Sequence, residues 1–450
     1  MATDAAVKAH RRPSVLDRVL RLFSDVREGE GVTILLMFSN LMALLVAYYV
    51  LRTVRDAVIL ARGGAVVQSY ASAGMALILM GFIPLYSWFA TRVNRVKLVL
   101  GVLLFFIINL ELFALVFSVP GRIVPVAYFI WVGIFNNAAV AQFWSFANDL
   151  YRKEAGERLF PVIAIGAAVG SPLGAKLAQV LFRAQLDPVF MLQIAAVLLT
   201  VHLALYVLVQ WRESRRADQA EVARAPVPPG DGFSLVLASP YLRAVALLIV
   251  LLNIVNTNGN FIFTSAVVRA ADAAAAGDPS VNREAFIGAY LGGFAFYQNT
   301  LVVVIQALLV SRIVKYFGMP GVLLALPLVA LGGNVLIAAG ASLAIIRWAK
   351  TAENATDYSV MNTGRQLLWL PTRREEKYKA KQAVDTFFVR AGDVLSAAVV
   401  FAGVTVLGLQ GTRGFAAVNL ALVAAWIGVV AVVLRRHRVL SAETDATPQR

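Results

Sequence analysis

A single stretch of the chain, SLAIIRWAKTAENATDYSVMNTGRQLLW, sets Arg347, Lys350, Glu353, Asn354, Asp357 and Met361 three or four residues apart. In a helix such spacing gathers side chains on one face. Arg365 follows about two turns after Asp357, rotated by roughly 80° and still able to point at the same cavity. Guanidinium and ammonium groups in such a stripe are equipped to hold an anion, and the carboxylates to balance them or carry a proton. For any one pair, such as Lys350 with Glu353, a tie between helices is an equally good account, because buried charges are usually paired. For the stripe as a whole, solute binding explains more.

Other stretches carry smaller sets of polar groups. YYVLRTVRDAV places Tyr48, Tyr49, Arg52, Arg55 and Asp56 near the outer end of an apolar run. Two guanidinium groups three residues apart suit a phosphate or carboxylate ligand. Snorkelling into lipid headgroups is the competing account. LLNIVNTNGNFIFTS holds Asn253, Asn256, Asn258 and Asn260 around Gly259, amides that either bind polar groups of a solute or bond neighbouring helices. A further run carries Asn136, Asn137, Gln142, Trp144 and Asn148, open to the same two readings. GAAVGSPLGAKLA spaces Gly166, Gly170 and Gly174 by four, a pattern for close helix packing, with Lys176 beside it. DTFFVRAGDVLSA contains Arg390 and Asp393, read as an ion pair or a proton-coupling acid, with the pair favoured.

These groups need a scaffold, and composition names it. Hydrophobic residues make up 59% of 450, charged residues only 15%, and about a quarter charged is usual for soluble domains. Apolar stretches of about 20 residues, enough to cross a bilayer as helices, recur throughout. Twelve are predicted, at 32–51, 68–90, 98–119, 123–147, 159–181, 188–210, 243–266, 286–310, 319–340, 342–368, 384–408 and 414–434. The stripe above is the tenth, and a charge at such depth costs about 2.5–3.5 kcal/mol, which makes buried ionisable groups functional candidates.

The net charge of +15 has a topological origin. Of 41 Lys and Arg residues, 28 fall in the tails and every second loop, and 8 in the alternate loops. The positive-inside rule then predicts both termini in the cytoplasm, and no nucleic-acid partner is implied. Interior cations (Arg52, Arg55, Lys176, Arg347, Lys350, Arg365, Arg390) outnumber interior acids (Asp56, Glu111, Glu353, Asp357, Asp393), which draws anions in.

A charged, proline-rich linker at 211–242 separates six spans from six. The expected organisation is a basic tail at 1–31, a six-helix bundle at 32–210, the linker, a second bundle at 243–434 and a tail at 435–450. The fold class is thus an all-α membrane protein of about twelve helices in two halves of like orientation, as in major-facilitator transporters. No cysteine occurs and only three histidines, which leaves no catalytic residues, no metal ligands and no cofactor motif to assign.

YYVLRTVRD from Tyr48, FWSFAND from Phe143, NTNGN from Asn256 and, above all, KTAENATDYSVMNTGRQLLWLPTRREEKYKAKQAVDTFFVRAGDVLSA from Lys350 resemble the ATP/ADP translocases of plastids and intracellular bacteria and their free-living bacterial relatives. The resemblance implies a multi-pass carrier of the bacterial inner membrane that exchanges nucleotides without hydrolysing them. Two lysines of the nucleotide-exchanging members match Arg55 and Arg365, so charge is kept at both. Those members tend to carry glutamate where this chain has Asn256, and no acid occupies the matching region of the fourth helix. The substrate therefore stays open.

The expected function is secondary transport of nucleotides or related phosphorylated anions. Arg55 and Arg365 are the expected phosphate clamps, assisted by Arg52 and Lys350, with Asn256, Asn260 and Asp357 also in the site. Glu353, Arg390 and Asp393 serve coupling or ion pairing, and Tyr48, Tyr49 or Trp144 stacks on a base. The alternative is proton-coupled transport of another organic anion through Glu353, Asp357 or Asp393. The lipid bilayer is the one macroscopic partner, and the oligomeric state is open, a monomer being compatible.

Overall fold

The computed structural model describes residues 25–27, 29–90, 92–93, 95–151, 153–214, 232–373, 375–409 and 411–446. The expected tails and linker at 1–24, 215–231 and 447–450 lie outside them. Backbone amides in lipid need internal partners, and the described residues meet that demand with helices alone. Ten helical segments are long and apolar enough to cross a membrane.

Two features raise the number of crossings to twelve. The segment Gly31–Ala90 is broken at Gly64, whose φ of 74° and ψ of 177° suit glycine. Gln68 Nε2 lies 3.4 Å from Asp56 Oδ1, whereas twelve residues of straight helix would part them by about 18 Å. The chain therefore doubles back, giving α1 (31–63) and α2 (65–90). Secondly, Leu343–Thr356 and Asn362–Leu367, joined by a π-helical turn at Asp357–Met361, cross together as α10. Its charged stripe keeps this helix out of the apolar count.

The other crossings are α3 (Arg95–Val116), α4 (Ile123–Leu150), α5 (Lys153–Arg183), α6 (Pro188–Ser214) and α7 (Pro240–Gly277). Next, α8 (283–317) passes through a distorted turn at Leu309, and a break at Gly318 (φ 58°) separates it from α9 (319–338). α11 runs from Glu376 to Val406 with three π-helical turns, and α12 is Thr412–Ala446. Caps fix two starts: Ser239 Oγ accepts from Leu242 N ahead of Pro240 on α7, and Asn282 Oδ1 accepts from Ala285 N on α8. Every predicted span falls on a helix. Most helices run further, and α1 continues to residue 63, not 51.

Without a hydrophobic drive between helices in lipid, close packing must hold them. A Cβ on Gly166, Gly170 or Gly174 of α5 would stand 2.5, 2.7 or 2.6 Å from the carbonyl oxygens of Phe38, Met42 and Val46 on α1. The two helices thus touch backbone to backbone. On its other side α5 meets α8, where Gly288 and Gly292 face Phe182 and Gln179. Polar ties add to this. Asn40 Nδ2 donates to His202 O at 2.9 Å between α1 and α6, and Asn419 links α12 to Asn258 of α7 and Asn334 of α9 at 3.1 and 3.2 Å.

The apolar core is uneven along the bundle axis. One continuous cluster joins α1–α6 to the second halves of α7 and the first turns of α8, through Phe261, Phe263, Val267, Ile287 and Phe294. At the face where α1 begins, the carboxyl-terminal helices keep a separate core, around Leu242, Leu248, Leu326, Trp369 and Trp426. The two halves are therefore packed together at the face away from the amino terminus. There Arg283 of α8 donates to the carbonyls of Leu60 and Ala61 on α1, and Arg62 lies 3.8 Å from Glu284.

Candidate functional site

Between the halves lies a cavity of about 300 Å³. α1 contributes Arg52, Thr53, Arg55 and Asp56 to its wall, α2 Gln68, Ser72 and Met75, and α4 Phe129. From the carboxyl-terminal half come Asn253, Asn256, Thr257, Asn260, Phe263 and Thr264 of α7, Leu291, Phe294 and Ala295 of α8, Asn354 and Tyr358 of α10, and Val389, Arg390 and Asp393 of α11. Its size is at the lower end of small-molecule sites, and its lining is unusually polar for one.

Arg52 and Arg55 stand eleven and eight residues before the end of α1 at residue 63, about 12–17 Å below it. They are therefore inside the bundle and not in the headgroup layer. Both lean on one acid. Arg55 Nη2 and Nε approach Asp56 Oδ1 at 2.8 and 2.9 Å, and Arg52 Nε is 3.9 Å from Asp56 Oδ2. The Arg55 guanidinium also lies 4.3 Å over the Phe129 ring, and that of Arg52 5.6 Å from Tyr49. One carboxylate between two guanidinium groups leaves a unit of positive charge on this wall.

Opposite, Arg390 spans the cavity, with Nη1 3.4 Å from Asp393 and Nη2 3.5 Å from Asn137 Oδ1 on α4. Asp393 also accepts from Thr257 Oγ1 at 2.9 Å. Counting wall residues, Arg52, Arg55 and Arg390 oppose Asp56 and Asp393, a net charge of +1.

The tenth-helix stripe lies mostly behind this wall. Lys350, 3% exposed, donates to Asn256 O at 2.9 Å, Asn256 Oδ1 at 2.6 Å and Glu353 Oε1 at 2.8 Å. Its three protons are thus all used. Asn256 Nδ2 in turn donates to Asp357 Oδ2 at 3.1 Å, and Asp357 Oδ1 is 3.3 Å from Arg365 Nη2. Asn256 is the link through which the cavity touches both ion pairs. Arg365 is a quarter exposed, its Nε has no hydrogen-bond partner, and it lies seven residues after Tyr358 on the same helix face.

Of the aromatic residues named from sequence, none lines this cavity. Tyr48 sits edge-on to Tyr49 at 5.2 Å, the Tyr49 hydroxyl donates to Asn299 Oδ1 at 3.0 Å, and Trp144 packs on Phe143 and Phe160. The rings that do line it are Phe129, Phe263, Phe294 and Tyr358, together with the amide of Gln68. Gln68 was visible as a lone amide in an apolar run, and Tyr358 as the neighbour of Asp357. The three phenylalanines carry no signal that separates them from core.

Polar residues continue from the cavity toward the face where α1 begins. On α4, Asn137 is followed at helical spacing by exposed Ser145 and Asn148, and on α10 Tyr358 is followed by exposed Asn362 and Gln366. At the far face the shared apolar core closes the bundle.

No family model and no curated protein matches the chain. Solved structures do. A peptide transporter POT in complex with sulfate aligns with TM-score 0.64 at 12% identity, over 94% of this chain and 99% of that one. The nucleoside transporter NupG aligns with TM-score 0.61 at 12% identity, over 90% and 98%. A bacterial homologue of the human lysosomal transporter Spinster, in an inward-facing and unoccupied conformation, aligns with TM-score 0.58 at 13% identity, over 93% and 99%. The fold is thus that of major-facilitator-type transporters.

Proposed function

We propose that this chain is a secondary transporter that exchanges nucleotides or related phosphorylated anions across a bacterial inner membrane by alternating access, with both termini in the cytoplasm. The observation that carries the reading is the pair Arg52 and Arg55 sharing the single acid Asp56 on the wall of a cavity between two six-helix halves. A dianionic phosphate entering there replaces half-satisfied contacts with charge-assisted hydrogen bonds in a site of low dielectric constant. Arg365, on the polar approach from the cytoplasmic face, is the cation an anion meets before it reaches Arg52 and Arg55. A base would stack on exposed Tyr358, with Gln68, Asn253 and Asn260 offering amide edges. The resemblance to nucleotide-exchanging carriers and the transporter fold support the same reading.

The test is a thermal-shift screen of purified protein against nucleotides and other phosphorylated metabolites, followed by uptake of labelled hits into liposomes. A ligand at a hundred times its dissociation constant adds about 2.7 kcal/mol of stability. If no phosphorylated anion stabilises the protein and none is taken up, the reading fails. A second reading rests on Asp393, a carboxylate on the cavity wall whose protonation would free Arg390. It makes transport of another organic anion depend on a pH gradient with no counter-solute, and Asp393→Asn should abolish that dependence.

A further inference from the structure

Two cations of this protein stand off the wall of the central cavity, Lys176 exposed and Arg347 half-buried. Lys176 of α5 is exposed and stands in one helical row with Val169, Leu173 and Val180, which are 37%, 50% and 49% exposed. That row is the lipid-facing side of the helix. The Lys176 ammonium donates to Gln179 Oε1 at 3.0 Å and lies 5.3 Å from the Phe296 ring. Arg347 of α10 is nearby: its guanidinium is 5.1 Å from the rings of Tyr290 and Tyr297 and 6.0 Å from Trp348. Tyr297 and Trp348 are themselves exposed, and Arg347 Nε has no hydrogen-bond partner. Gln179, which Lys176 holds, and Arg347 meet at Gly293 of α8. A Cβ there would lie 2.5 Å from Gln179 Nε2 and 3.2 Å from Arg347 Nη2. Among the described residues neither cation has a carboxylate within ion-pair distance.

Depth sets the kind of anion that can balance them. Lys176 is seven residues from the end of α5 at Arg183, and Arg347 four from the start of α10 at Leu343. Both ends lie at the face away from the amino terminus, so the cations are about 10 and 6 Å inside it. With 31 residues, α5 is about 46 Å long against a hydrocarbon core of about 30 Å, which puts both groups near the boundary between acyl chains and headgroups. Exposed Tyr297 and Trp348 beside them fit the aromatic belt of that boundary.

We propose that the seam between α5, α8 and α10 binds one anionic phospholipid, its phosphodiester held between Lys176 and Arg347 and its acyl chains along the apolar row of α5 and the exposed Val303 and Val304 of α8. The shared chemistry is a phosphate anion, and the net charge of the site selects its source. Two cations with no acid are neutralised by a lipid of net negative charge, whereas a zwitterionic lipid brings its own ammonium against them. Free phosphate would gain the same charges but leave those apolar side chains uncovered.

The experiment uses the full chain released from micelles containing equal amounts of phosphatidylglycerol and phosphatidylcholine, observed by native mass spectrometry. Phosphatidylglycerol should be retained preferentially. K176Q and R347Q should each lower the retained fraction roughly tenfold, the loss of one charge-assisted hydrogen bond. K315Q, which removes a cation at the opposite face, should leave it unchanged. In parallel, phosphatidylglycerol should raise the melting temperature of the unmodified protein more than phosphatidylcholine or inorganic phosphate does. Equal retention of both lipids, undiminished retention in both variants, or an equal shift with phosphate alone would overturn the proposal.

Discussion

Replacing Arg55 by alanine asks two things of the protein at once, and a second substitution separates them. In the native wall Arg55 makes the two closest contacts to Asp56, at 2.8 and 2.9 Å, with side chains only 11% and 18% exposed. Arg55→Ala leaves that carboxylate with Arg52 at 3.9 Å and Gln68 at 3.4 Å. Breaking one partner out of a buried pair costs about 3–5 kcal/mol, and the lower end applies here because two weaker partners remain. The single variant should therefore melt earlier. Arg55→Ala with Asp56→Ala removes charge and counter-charge together and should recover most of that loss. Transport should not recover, because the phosphate still lacks one guanidinium fork, worth about 1.5–3 kcal/mol, or roughly ten- to hundredfold in affinity. The assay pairs thermal unfolding in detergent with uptake of labelled nucleotide by liposomes reconstituted with each variant. If the double variant regains uptake along with stability, Arg55 serves only to neutralise Asp56 and the phosphate-clamp argument is wrong.

Two further predictions rest on packing and on the closed face. Gly174→Leu places a Cβ 2.6 Å from Val46 O and 2.8 Å from Val46 Cα, so α1 and α5 must part, and folded yield should collapse; Gly332→Ala, with nothing within 4 Å, should be silent in the same expression and thermal-unfolding measurement. Arg283→Ala with Glu284→Gln removes the links to α1 at the far face, each worth about 1 kcal/mol. Because the chain has no cysteine, a reporter Ser72→Cys in the cavity wall can be alkylated alone, and a membrane-impermeant maleimide applied to that face should label it about fivefold faster per link lost. Unchanged labelling would place the seal elsewhere.

The twelve crossings were legible because each had to contain about twenty apolar residues, and even α10, too charged to pass as apolar, betrayed itself by helical spacing of its charges. The depth of Arg52 and Arg55 was not. Hydropathy falls where cations begin, so α1 was read as ending at residue 51, while the helix continues to 63 with those cations turned into the bundle. Pairing was legible only within a helix: Lys350 with Glu353 and Arg390 with Asp393 follow from three-residue spacing. The role of Asn256, which bonds Lys350 and Asp357 across from α7, depends on the relative rotation of two helices, and no periodicity within one helix reports that. Aromatic side chains were the least legible. Tyr48, Tyr49 and Trp144 sit beside polar motifs yet pack on protein, while Phe129 and Phe294, in plain apolar runs, reach the cavity.

The lopsided core has an energetic consequence. In this arrangement Phe263 and Phe294 belong both to the cavity wall and to the apolar cluster that joins the halves. Swinging the bundle open on that side would wet those rings, a penalty of about 25 cal/mol for each Å² uncovered. If the protein carries a solute as proposed, its empty form faces an uphill step, and a bound solute that covers the rings removes part of it. Under the exchange proposed above, cargo would act as the lubricant of its own passage, and a return journey without cargo would be the slow half of the cycle.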